Sequence, residues 1–144
     1  TRVLSMDIQQ LDAETTAWKD SLLRAAQEAG FHFEPPKLFE DFETMVEQYK
    51  QAAASDPDID VTDIQQMWGI VVGEYLREKM GMEWVVITDD YGTDLAILAT
   101  APNGDHVYSC PIIVVGKRFS TDYEPGQLEF FCNQFMVTSL AQLQ

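Results

Sequence analysis

Residues 68–118 read WGIVVGEYLREKMGMEWVVITDDYGTDLAILATAPNGDHVYSCPIIVVGKR, and the spacing of apolar residues changes within them. Up to Met80 the pattern is helical. Ile64, Met67, Trp68, Val71, Val72, Tyr75, Leu76 and Met80 recur at three- and four-residue steps, which place them on one stripe of a helix. Gly69 and Gly73 lie one turn apart on this helix. Because the helix also carries Glu74, Arg77, Glu78 and Lys79, the pair points to close backbone packing against a neighbour, not to a membrane dimer. Gly81 supplies the stop.

Beyond Gly81 the residues read as strands. Trp84-Val85-Val86-Ile87 is aromatic and β-branched, apolar on both alternating faces, and so predicts a central strand covered on each side. Asp89-Asp90-Tyr91-Gly92 supplies turn chemistry. Leu95–Thr100 is a second strand, Asn103-Gly104 a hairpin signal, and His106–Cys110 a third strand. Pro111 interrupts the ladder. Residues 112–115, Ile-Ile-Val-Val, fit either a fourth strand or a short buried helix, and the extended reading is preferred.

Outward from this stretch the chain reads as helix. Upstream, Ile8, Leu11, Thr15, Trp18, Leu22, Ala25 and Ala29 form one stripe, predicting a helix over 7–29 that stops at Gly30. After Pro35-Pro36, a second helix carries Phe39, Phe42, Met45, Val46, Tyr49 and Ala53. Residues 55–61, SDPDIDV, read as a linker, and Thr62 as the N-cap of the next helix. Downstream, 127–143 form a last helix with Leu128, Phe131, Phe135, Val137, Leu140 and Leu143. Phe130, Cys132 and Met136 make it apolar nearly all round, so it is either fully buried or half covered by a second subunit. The expectation is one α+β domain over 1–144. It comprises a helical part at 7–54, a helix plus three- to four-stranded antiparallel meander at 60–120, and a C-terminal helix at 124–144, with the helices packed on the sheet.

Twenty-four acidic and nine basic residues give a net charge of −15, spread along the chain. Nucleic-acid binding needs clustered cations, and an anionic membrane repels such a chain, so neither is an expected partner. Like-charge repulsion and solubility are the plain consequence; an acidic surface for a basic partner is the sharper one. Two distant cysteines, Cys110 and Cys132, are no disulfide framework and read as buried hydrophobes. No run of eighteen apolar residues is present. The expected location is the cytoplasm, although a start at Thr1 leaves room for a removed export signal.

The order Trp68-Gly69, Gly73-Glu74, Met82-Glu83-Trp84-Val85, Asp89-Asp90-Tyr91-Gly92-Thr93-Asp94, Pro111 and Lys117-Arg118 resembles a small bacterial family known as a domain of unknown function. The resemblance covers roughly 60–120 and leaves the helices at 7–54 outside it. It supports the domain reading and implies no activity, ligand or catalytic residue.

Several groupings invite chemistry. Asp56, Asp58 and Asp60 alternate like the opening of a calcium loop, but Val61 and Met67 stand where that loop needs Gly and Glu. Asp89, Asp90 and Asp94 crowd one turn, as Asp does through its bonds to the backbone. His32 and His106 show no metal spacing, and no phosphate-binding or nucleophile-elbow motif occurs. Hence no cofactor, metal or catalytic residue is assigned. Lys117-Arg118 is the one adjacent basic pair, able to balance local acids or to anchor an anion. With Trp84, Tyr91 and Asp94 it forms the candidate ligand-binding set.

Three functions follow. The first is a non-catalytic protein-interaction module, self-associating as a homodimer through 127–143. The second is an acidic binder of a basic partner, such as an immunity protein, a secretion chaperone or a nucleic-acid mimic. The third is a small-ligand binder or enzyme with a pocket between helices and sheet, which requires one cleft to join Trp84, Tyr91, Asp94 and Arg118.

Overall fold

Gly81 takes a left-handed conformation, φ +63°, and turns helix α3 (Thr62–Met80) into strand β2 (Glu83–Asp89). The Met82 amide donates back to the Arg77 carbonyl at 3.0 Å, which satisfies a carbonyl of the last turn. The computed structural model describes residues 6–144. Strand β2 pairs antiparallel with β3 (Gly92–Thr100), and β3 with β4 (His106–Ser109). The architecture is the expected α+β one, with helices, an antiparallel sheet and a C-terminal helix.

Among the described residues the sheet has four strands, but its fourth is not 112–115. It is β1 (Asp7–Gln10), which pairs antiparallel with β2, Ile8 opposite Ile87, so the order is β1-β2-β3-β4. The first helix, α1, therefore runs Ala13–Glu28 and not from residue 7. Asp12 explains the boundary. Its Oδ1 accepts from the Thr15 amide at 2.7 Å, a side-chain cap that frees the preceding residues to pair with β2. That bond holds the Asp12 carboxyl below its ordinary pKa.

Residues 111–116 form a short helix, α4, against the extended expectation. Pro111 sits at its first position, where a missing N–H costs nothing. Contact decides the rest. A Cβ on Gly69 would lie 2.6 Å from the Ile112 Cα, so α4 rests directly on the backbone of α3. Gln65 Nε2 also donates to the Ile112 carbonyl at 3.1 Å. A tertiary seat of this kind overrides the β preference of Ile and Val.

Alternation sorts the strands onto two faces. Trp84, Ile97 and Val107 join the main core with the helices, while Val85, Ile87, Ala96 and Leu98 form a second buried cluster on the other face. The main core takes Leu38 and Phe42 from α2 (Lys37–Ser55), Trp68, Val71, Val72 and Leu76 from α3, and Val115 from α4. Leu128 and Cys132 come from α5 (Gln127–Leu143). Phe42 packs edge-on to Trp68 at 5.3 Å and to Tyr123 at 5.9 Å. Burying a side chain of this size stabilises the fold by about 1.5–3 kcal/mol.

Candidate functional site

The five residues singled out in the sequence lie in separate surroundings. Trp84 faces the helices, and its Nε1 donates to Glu74 Oε1 at 2.9 Å, with the Lys19 ammonium 6.0 Å from the ring. Glu74 also accepts two bonds from Arg77, at 2.7 and 3.0 Å. Burial pushes the Glu74 carboxyl up, yet these bonds and the Arg77 and Lys19 charges together hold it below the ordinary range. Tyr91 is 85% exposed at the β2–β3 turn, where its amide donates to Asp89 Oδ1. Asp94 is half-buried on β3. Lys117 is exposed, and Arg118, just past α4, is half-buried.

Of the five, Arg118 opens onto a cleft. This cleft, about 670 Å³, is formed by the 124–127 turn and the first turns of α5, with Phe130, Phe131 and Gln134 as its α5 wall. The Arg118 guanidinium stands 5.0 Å from the Phe131 ring centroid. Its Nη1 reaches the Val114 carbonyl at a long 3.4 Å. Its Nε is buried without a hydrogen-bond partner, the one such side-chain atom among the described residues.

A polar network ties the 123–128 segment, whose turn forms one wall of the cleft, to α2. Tyr123 donates its hydroxyl to Glu43 Oε1 at 2.6 Å, and the Gly126 amide donates to the same oxygen at 3.1 Å. The Leu128 amide donates to the Tyr123 hydroxyl at 3.3 Å, so the N-terminus of α5 is capped by a tyrosine. Lys50 Nζ donates to the Tyr123 carbonyl at 2.5 Å. Burial, then the bond to Glu43, pushes the Tyr123 phenol far up, so it stays neutral. None of this was visible in sequence, since Glu43 and Tyr123 are 80 residues apart.

The other reactive side chains have structural employment. Burial, then the Asp94 and Asp89 charges, pushes the Cys110 thiol up to about 11. Burial likewise takes Cys132 up to about 12, with Arg118 opposing. A thiol at such values is no nucleophile near neutrality. Thr62 is the first residue of α3 and not its N-cap, which is Val61, and Asp60 accepts from the Thr62 amide and hydroxyl. Asp56 accepts from the Asp58 amide. His32 Nδ1 lies 2.7 Å from Asp41, and His106 contacts Thr100. Among the described residues no helix is long and apolar enough to cross a membrane.

Comparison with known proteins finds a Domain of unknown function (DUF3806) over residues 41–131, more than half of the 144-residue chain. The chain belongs to the DUF3806 family. The match reaches further than the 60–120 resemblance read from sequence, into α2 upstream and the start of α5 downstream. The DUF3806 segment thus includes Glu43, Gly69, Gly73, Trp84, Arg118, Tyr123 and Phe131, while α1 and most of α5 lie outside it. No curated protein and no solved structure matches the chain.

Proposed function

We propose that this protein is a non-catalytic interaction module that pairs with a second copy of itself through the outward face of α5. One observation carries the reading. Phe130, Val137 and Leu140 are 67%, 64% and 50% exposed on one helix. Its inner side is used by Leu128, Cys132 and Ser139. Large exposed apolar side chains on one side of a helix, set among the uncharged Asn133, Gln134 and Thr138, favour an interaction surface.

Charge selects the occupant. Two copies at −15 each repel, so they approach only where charge is sparse. Over its 17 residues α5 carries a single charged side chain, Glu129. A basic partner would prefer almost any other face. The spacing also suits a two-fold contact, because antiparallel α5 helices would set Phe130 against Ala141 and Gln134 against Val137.

Sedimentation velocity tests the reading. The wild-type protein should reach twice its monomer mass as concentration rises, and Val137→Glu or Leu140→Glu should return it to the monomer. A wild-type monomer at every accessible concentration, or dimers that survive both substitutions, would overturn it.

A further inference from the structure

We propose that the cleft beside Arg118 binds a monocarboxylate with an apolar body, the guanidinium taking the carboxylate and the two phenylalanines the body. The argument begins with an imbalance. Acids outnumber bases twenty-four to nine, so a half-buried cation has many possible partners. Arg77 holds Glu74 through two bonds, Lys19 lies 2.9 Å from Asp20, and Lys79 lies 3.1 Å from Glu34. Arg118 pairs with no carboxylate among the described residues, and it lines the cleft; its Nε, buried without a partner, faces away from that space. A half-buried guanidinium without a counter-charge is stabilised when an anion meets its accessible N–H groups.

The cleft defines that anion. Its volume, about 670 Å³, lies in the range of small-molecule sites. Phe130, Phe131 and Pro125 supply apolar wall, and the Arg118 guanidinium lies 5.0 Å from the Phe131 ring centroid, beside the space where a carboxylate would meet its Nη groups. One fork neutralises one charge. Glu124 on the same rim, within a strongly anionic chain, opposes a second. A carboxylate therefore fits better than a phosphate dianion.

The site borders the face proposed for self-association, sharing Phe130 and Gln134 with it, and its test separates the two. Benzoate is the probe, with benzamide as the neutral isostere and inorganic phosphate as the other anion, followed by amide chemical shifts. Benzoate should give saturable shifts at Gly126, Gln127 and Phe131, benzamide none, and phosphate weaker ones. Arg118→Gln should weaken benzoate by about tenfold or more, as loss of a charged hydrogen-bond pair does. Arg118→Lys, which keeps the charge without the fork, should fall between. Glu124→Gln should tighten binding, which keeps the test open if Arg118→Gln misfolds. Val137→Glu, as a monomer with Phe130 uncovered, should bind benzoate at least as tightly as wild type, and Arg118→Gln should leave sedimentation unchanged. Absence of saturable shifts, equal response to benzamide, phosphate binding as tight as benzoate, or indifference to Arg118→Gln and Glu124→Gln would each overturn the proposal.

Discussion

The indole of Trp84 occupies the volume that a side chain on Gly73 would fill. A Cβ there would also lie 2.7 Å from Pro111 Cγ, so strand β2, helix α3 and helix α4 meet at a residue with no side chain. Gly73→Ala sets two effects against each other. Helix propensity favours Ala by about 1 kcal/mol. Overpacking costs about 1–3 kcal/mol, and here the obstacle is a ring held at its nitrogen by Glu74, not a mobile side-chain end. The overlap wins. Gly73→Ala should lower the unfolding midpoint by several degrees, and Gly69→Ala by more, because its neighbour is the Ile112 backbone. Calorimetry checks both. The Gly73 cost should shrink when Trp84→Leu is added, as residues in contact are not additive.

Glu74 makes that corner sensitive to acid. Its carboxyl titrates below the ordinary glutamate range in the folded chain. A depressed folded pKa contributes stability that is present above the unfolded pKa and lost as pH falls through the folded one. Wild type should therefore exceed Glu74→Gln in denaturant midpoint at neutral pH, and the gap should close as the pH drops through the carboxylate range. Urea titrations of the two proteins at matched pH isolate this from the general relief of charge repulsion. A gap that stays constant with pH would contradict the assignment.

The parts of the fold legible in sequence were those with a local cause. The stripe from Ile64 to Met80, the stop at Gly81 and the strand at Trp84–Ile87 all appear where the residues placed them. Gly69 and Gly73 announced close packing without naming the neighbour. Strand β1 was missed because four residues with only Ile8 turned toward the sheet fit a helical stripe equally well. Residues 112–115 fit strand or helix in sequence, and the choice of helix rests on a seat at Gly69 some forty residues away. Of the candidate ligand set, Arg118 was marked by its charge alone. Trp84 proved to belong to the α3 seam, and Tyr91 to an exposed turn. The Glu43–Tyr123 bond beside the cleft carries no signal that periodicity or spacing can read, and Phe131 was legible only as part of the α5 stripe.

The Tyr123 hydroxyl joins two such distant parts. It donates to Glu43 and accepts from the Leu128 amide, so Tyr123→Phe removes both bonds and leaves a buried donor unmatched. Losing one such group costs about 1–3 kcal/mol. The phenol's raised pKa gives a second readout. A neutral form favoured by the fold contributes stability below the ordinary tyrosine pKa, lost as pH rises through the folded value. Absorbance at alkaline pH should show one tyrosine titrating only with unfolding, and Tyr123→Phe should delete that step.

The cysteines should be slow. With Cys110 near 11 and Cys132 near 12, the thiolate fraction at mildly alkaline pH falls roughly 10²-fold or more below that of a free thiol. A disulfide reagent should label the native protein correspondingly slower than the unfolded chain. Asp94→Asn should speed Cys110 and leave Cys132 unaffected, since only Cys110 feels the Asp94 charge.

Salt separates self-association from capture of a basic partner, the two readings that the net charge of −15 sustains. Pairing through α5 brings together two anionic bodies across an almost uncharged face, so the opposing force is long-range repulsion. Screening acts over about 8 Å at physiological ionic strength and should weaken that repulsion while leaving the apolar contact intact. Dimer formation should therefore strengthen as sodium chloride rises, and sulfate should strengthen it further through apolar burial. A basic partner drawn to the acidic surface would show the opposite slope, with association fastest at low salt. Sedimentation equilibrium across a salt series reads the sign directly. A dimer that dissociates with added salt would place the contact on charged residues and remove α5 from the interface.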